Sequence, residues 1–286
     1  MPPVDRDLAA VGRRLGARYL SRGIRNILAP VDYTRRREIP LLVALSGVLA
    51  KRTQRLRILD AGSPQILSMY LASASPSWEV VYINRFEPEL DRLEEQRRVL
   101  GLRNVTGASC DLTDRSTVQK LGRFDYVFSC SVFEHIHPEV DGDSLASANL
   151  RSVMAAGATC TISVPFSTSP FNEYRVADVY GNRGSGAEKV FFQRFYDEHT
   201  LRSRIIEPTG FSVIAQSYLG ERFYFPGNIH RRLGPALVTG RVKPLLLGPT
   251  VGVLSRVFME EASDWRQLGK PYIAVVAMRA ESQGNA

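Results

Sequence analysis

RILDAGSPQILSMYLA, Arg57 to Ala72, is the stretch whose reading decides the fold. The apolar run Leu56–Leu59 reads as a strand that ends on an acid, Asp60. Gly62-Ser63-Pro64 makes a sharp turn, and Ile66–Ala72 continues as an apolar helix. A strand, a small-residue turn and a helix form a nucleotide-cradling unit, because backbone N–H groups and the helix start approach a ligand closely there.

Outward from this turn the chain alternates strands and helices. Strands are predicted at Glu79–Ile83, Val105–Ser109, Tyr126–Cys130, Thr159–Val164, Phe211–Tyr218 and Tyr272–Met278. Helices are predicted at Glu87–Leu100, Ser116–Leu121, Ser144–Ala155 and Asp197–Ile206. Such alternation implies an α/β architecture, a parallel sheet covered on both faces. Two helices precede it, at Asp7–Leu20 and Arg36–Leu49. Tyr33, Arg35 and Glu38, at the start of the second helix, are placed either in the ligand cleft or on a solvated surface.

The 286 residues carry a net charge of +8, unevenly spread. Residues 1–57 hold 13 Lys and Arg against 4 acids, and residues 228–258 hold 5 and none, so the middle is mildly acidic. That distribution argues against a nucleic-acid groove through the core and points to a peripheral anionic contact. Arginine outnumbers lysine 32 to 5, which suggests a GC-rich bacterial genome. Three cysteines without ligand spacing read as reduced, partly buried thiols, and the start lacks a secretory pattern. No apolar run is long enough to span a bilayer. A cytoplasmic protein is expected, with peripheral attachment to the inner membrane as an added option. No metal cluster or hydrolase elbow is seen.

The ordered set ILDAGS (58–63), VVYIN (80–84), SCDL (109–112), FDYVFSCSVFEHI (124–136) and GATCTISVP (157–165) resembles the class I S-adenosylmethionine-dependent methyltransferases. The fourth-strand segment is similar to that of the small-molecule, ubiquinone-methyltransferase-like group. The resemblance implies a Rossmann-like seven-stranded sheet with a reversed last strand. N-terminal helices (1–53) would precede a methyltransferase domain (54–280), and residues 281–286 would be a frayed tail. It implies S-adenosyl-L-methionine as cofactor, with Asp60, Gly62 and Ser63 at its amino-acid end and Asn84 on the ribose. Asp111 and Leu112 would hold the adenine, and Ser129 and Ser131 the floor below the sulfonium. Two positions depart from the pattern. Pro64 stands where the turn usually has glycine, and Asn84 where an acid usually holds the ribose.

The implied activity is methyl transfer to a small or lipid-linked acceptor, with oxygen favoured. The alternative is a catalytically silent binding or scaffold protein at the membrane surface. His135, just past the fourth strand, is placed either as general base or as a buttress of the next loop. Residues 165–194 are expected to form a long acceptor lid, with Phe166, Glu173, Tyr174, Tyr180 and Arg194 as substrate residues. The apolar, basic insertion 228–258 has three readings: a membrane-interface segment, a cap over the acceptor pocket, or a dimer surface. The N-terminal helix packs on its own domain or lies on an anionic membrane.

Overall fold

The protein is described from a computed structural model covering residues 2–18, 31–176, 189–223 and 250–281. Tyr180, the expected insertion up to residue 249 and the tail from 282 lie outside the described residues.

Eight strands form the main sheet in the order β3-β2-β1-β4-β5-β10-β8-β9. They are β1 (Leu56–Ala61), β2 (Trp78–Asn84), β3 (Val105–Ser109), β4 (Phe124–Cys130), β5 (Met154–Pro165), β8 (Ser212–Glu221), β9 (Met259–Ala262) and β10 (Lys270–Arg279). From β3 to β5 all pairings are parallel, and β10 runs antiparallel between β5 and β8. The seven expected strands are present, with the reversed one between β5 and β8. An eighth, β9, is added at the edge beside β8. The short segment MEEA has no apolar alternation of its own, so only its neighbour defines it.

Side-chain alternation builds the two faces. Ile58, Val80, Phe128 and Val275 join one apolar cluster, while their sequence neighbours Leu59, Val81, Val127 and Val276 join the other. The first cluster is covered by α1 (Pro2–Arg18), α2 (Arg35–Ser46), α3 (Ile66–Ala74) and α4 (Glu87–Leu100). Leu8, Leu41, Leu42, Leu67 and Leu71 are fully buried there, each contributing about 2 kcal/mol. The short α5 (Arg115–Gln119), α6 (Gly142–Leu150) and α7 (Glu198–Leu201) cover the second. α7 runs on through a π turn, Arg202–Ile206.

The expected lid contains an antiparallel ribbon of β6 (Phe171–Arg175) and β7 (Val190–Phe195) instead of an unstructured loop. The end of the expected insertion is a helix, α8 (Val251–Phe258). Asp5 of α1 binds Arg36 of α2 at 3.3 Å and Arg256 of α8 at 2.6 Å, joining the three helices.

Candidate active site

A cavity of about 1080 Å³ opens at the carboxyl ends of β1, β2, β3 and β4. This is the edge where ligands bind in open α/β sheets. Its walls include the turn Ala61–Ile66, Asn84, Asp111, Leu112, Ser131, Val132, His135 and Arg35.

The turn is held from inside. Asp60 is fully buried; its Oδ1 accepts from the Ser63 amide at 3.0 Å and its Oδ2 from the Ser68 hydroxyl. Burial pushes its pKa up to about 6, against the opposing pull of those bonds. Gly62 has φ +80°, which an L side chain adopts only under strain. The Ser63 hydroxyl accepts from the Cys130 amide at 2.9 Å, which ties the turn to β4. Pro64 lies in the wall and precedes α3, whose first turn leaves a proline nitrogen without an unmet donor.

Gly62, Ser63, Asn84, Asp111, Leu112, Ser131 and His135 thus share one cavity. Asp60 and Ser129 do not reach it, which corrects their expected ligand contact. Both Asp60 oxygens are taken by the protein, and Ser129 is fully buried with its hydroxyl toward the Ala61 carbonyl. The four expected substrate residues that are described, Phe166, Glu173, Tyr174 and Arg194, are also elsewhere. Phe166 is 1% exposed and packs on Tyr218 and Trp265. Glu173 bonds Gln193 and Arg175 along the ribbon, and Tyr174 bonds Glu139. Arg194 is 3% exposed and donates to the carbonyls of Ile136 (2.8 Å), Pro138 (2.8 Å) and Glu139 (2.6 Å). Arg194 is a clamp on the loop after His135, because those carbonyls have no strand partner to satisfy them.

Of Arg35 and Glu38, which the sequence allows either in the cleft or on the surface, Glu38 is interior and Arg35 lies partly buried in the cavity wall. Glu38 is fully buried; its Oε1 accepts from Ser131 (2.6 Å) and Ser163 (2.7 Å), and its Oε2 pairs with Arg35. Burial would raise its pKa, but Arg35 and the two hydroxyls hold it below the usual carboxylate range. Arg35 also donates to Ser131 at 2.7 Å and presents a cation to the cavity. Ser131 itself has φ +52°, a left-handed conformation retained because its hydroxyl is bonded on two sides. A signal did exist in the sequence. Glu38 stands at helical spacing from Leu41, Leu42 and Leu45, on the buried face.

His135 donates from Nδ1 to the Phe192 carbonyl at 2.7 Å, since a carbonyl only accepts. Its Nε2 therefore carries the lone pair and lies 3.7 Å from Glu134 Oε1. Burial lowers the imidazole pKa to about 4. Burial also raises that of Glu134 to about 8. At neutral pH the dyad is an uncharged imidazole beside a protonated carboxyl.

The strand order, the reversed strand and the position of the cavity together define the class I methyltransferase fold. The structure is similar to coclaurine N-methyltransferase bound to N-methylheliamine and SAH. That match has 14% identity, 83% of this chain and 72% of that chain covered, and a TM-score of 0.51. It is similar to MccD protein (10% identity, 85% and 96% covered, TM-score 0.52). A methyltransferase from Clostridium acetobutylicum, S-adenosylmethionine-dependent, is also similar (11% identity, 88% and 93% covered, TM-score 0.50). No family model and no curated protein matches the sequence.

Proposed function

We propose that the protein is an S-adenosylmethionine-dependent methyltransferase acting on a small or lipid-linked acceptor, with an oxygen acceptor favoured. One observation carries the reading. The turn at 61–66, Asn84, Asp111-Leu112, Ser131 and His135 line a single cavity at the ligand-binding edge of this fold.

The cavity fits the cofactor in size and in donor set. Its volume lies just above the usual range for small-molecule sites, about 300–1000 Å³, leaving space for an acceptor. Gly62, with φ +80°, lets the turn bend in the cavity wall beside Val132 and the Ile83 carbonyl. Leu112 offers an apolar face to an adenine ring, and Asp111 an acceptor for its amino group. Arg35 offers a charge-assisted partner to an amino-acid carboxylate. S-adenosylmethionine supplies a methyl group on a sulfonium, ready for in-line displacement.

The chain's own contribution is to position the acceptor and to take its proton. His135 suits that task because its Nε2 is a base in the cavity wall while Nδ1 is anchored to Phe192. Glu134 governs its strength. A protonated Glu134 leaves the imidazole a weak base, and an ionised one favours the imidazolium.

Titration calorimetry with S-adenosylmethionine tests the reading. Saturable one-to-one binding is expected, weakened roughly tenfold in Asp111→Ala, the loss of one good hydrogen bond. Absence of binding at millimolar cofactor overturns it and leaves a scaffold role.

A peripheral membrane location belongs to the same proposal. Val253 and Val257 are exposed one turn apart on α8, with Arg256 between them. Arg6 and Arg13 are exposed on α1, which Asp5 joins to α8. An anionic bilayer complements this surface, with valines entering the interface and arginines at phosphate level. Among the described residues no helix is long and apolar enough to cross a membrane.

A further inference from the structure

A nucleoside held across the ends of β1 and β2 presents its vicinal diol to the end of β2, where a carboxylate is the usual acceptor. Here β2 ends on Asn84, and its amide is already engaged. Asn84 Nδ2 donates to the Tyr82 hydroxyl at 2.9 Å, and Oδ1 accepts from the Phe86 amide at 3.0 Å. Asn84 therefore fixes its own turn and offers the diol only residual, uncharged bonding capacity.

Among the described residues four carboxylates line the cavity: Asp32, Glu89, Glu95 and Asp111. Asp32 caps the start of α2 through the amides of Thr34 and Arg35. Asp111 stands at the end of β3, with Oδ1 accepting from Thr113. Glu95 lies two turns along α4, exposed. Glu89 lies in the first turn of α4, the helix that follows β2, where the helix dipole favours negative charge, and its charge acts on Tyr82, whose hydroxyl accepts from Asn84.

Glu89 is also held in place. Gln65, directly after Pro64 and 7% exposed, donates from Nε2 to the Glu89 backbone carbonyl at 2.6 Å and to its carboxylate at 3.0 Å. Arg92 pairs with the other carboxylate oxygen, Oε1, at 3.0 Å; unlike the fully buried Asp60 and the uncharged Asn84 amide, this carboxylate is partly exposed in the cavity wall and keeps acceptor lone pairs for a ligand. The side chain that follows the cofactor turn thus fixes a carboxylate beside the end of β2. Pro64 and Gln65 both lie in the cavity wall, directly before α3.

We propose that Glu89, positioned by Gln65 and Arg92, receives the ribose hydroxyls of the cofactor, taking over the task that the residue ending β2 does not perform here. The proposal rests on the S-adenosylmethionine reading above.

The test is calorimetric binding of S-adenosylhomocysteine and its 2′-deoxy and 3′-deoxy analogues to wild type, Glu89→Gln and Glu89→Asp. Glu89→Gln is expected to bind S-adenosylhomocysteine about tenfold more weakly, the value of one charge-assisted hydrogen bond. At least one deoxy analogue should bind wild type about tenfold more weakly and show little further loss in Glu89→Gln. Thermal melting of the unliganded variants, within a few degrees of wild type, shows that they fold. Equal loss for the parent ligand and both analogues on replacing Glu89 overturns the proposal, as does wild-type affinity in Glu89→Gln. Absence of any binding to wild type overturns the cofactor reading itself, a separate outcome.

Discussion

Glu134 is 1% exposed, with Oε2 without a hydrogen-bond partner among the described residues and Oε1 3.7 Å from His135 Nε2. Desolvation outweighs the nearby arginines and raises its pKa to about 8 from 4.5. Between those values the unfolded chain releases the proton and the folded chain keeps it. The contribution to stability is therefore full below about pH 4.5 and is lost as pH rises through 8. Urea denaturation of wild type and Glu134→Gln across pH 5–9 should show the wild type losing stability relative to the variant as pH rises, by on the order of a few kcal/mol, while Asp60 and His135 titrate in both. Parallel profiles would mean that Glu134 is ionised when folded. Glu38 has the opposite sign, because Arg35 and two hydroxyls overcome its burial. The EHI segment was legible in the sequence as a pair near the cavity. That one carboxylate in this site is held ionised and the other protonated was not, because their partners come from other elements.

At the scale of elements, the β6–β7 ribbon supports the site from outside the cavity. Arg194, on β7, donates to three carbonyls of the loop 136–139 and lies 3.6 Å from the buried Asp143 of α6. Asp143 also accepts from Tyr196 at 2.8 Å and from Arg204. Gly142 lets α6 begin against this loop, where a Cβ would come within 2.4 Å of the His137 carbonyl carbon. Arg194→Met should therefore lower unfolding free energy by about 3 kcal/mol, as when one partner leaves a buried ionic network. It should also increase amide exchange across residues 136–139. If cofactor affinity or acceptor use changed while stability and exchange stayed the same, Arg194 would be a ligand residue after all. The ribbon is not legible in the sequence, because VFFQRF does not alternate apolar and polar residues and its partner strand is supplied by the fold. Its aromatics were not assignable, because a strand pattern says which residues share a face and not what that face meets.

For the whole molecule, charge and shape divide between the sheet edge that carries the cavity and the helical surface of α1 and α8. Sedimentation with vesicles of phosphatidylcholine alone and with added phosphatidylglycerol checks the second surface. Wild type is expected to bind only the anionic vesicles. Binding should fall several-fold in Arg6→Glu/Arg13→Glu and again when Val253→Asp and Val257→Asp are added. Equal recovery with neutral and anionic lipid, or of all variants, counts against the membrane location.

The resemblance to class I methyltransferases implied the reversed strand, while the sequence by itself determined the strand–turn–helix at Arg57–Ala72 and the βα alternation. These follow from local periodicity and from where small residues fall. It also marked the positions Gly62, Ser63, Asn84, Asp111, Leu112, Ser131 and His135 that meet in one cavity. Only the tertiary structure decided that Asp60 and Ser129 face inward, that Arg35 and Glu38 reach β4 and β5, and that Arg194 clamps a loop. It alone placed Gln65 against Glu89. The physical reason is the same in each case. A polar side chain is fixed by the hydrogen bonds open to it where it is buried. Those partners, such as Ser131 and Ser163 for Glu38, lie far away along the chain, where no local pattern records them.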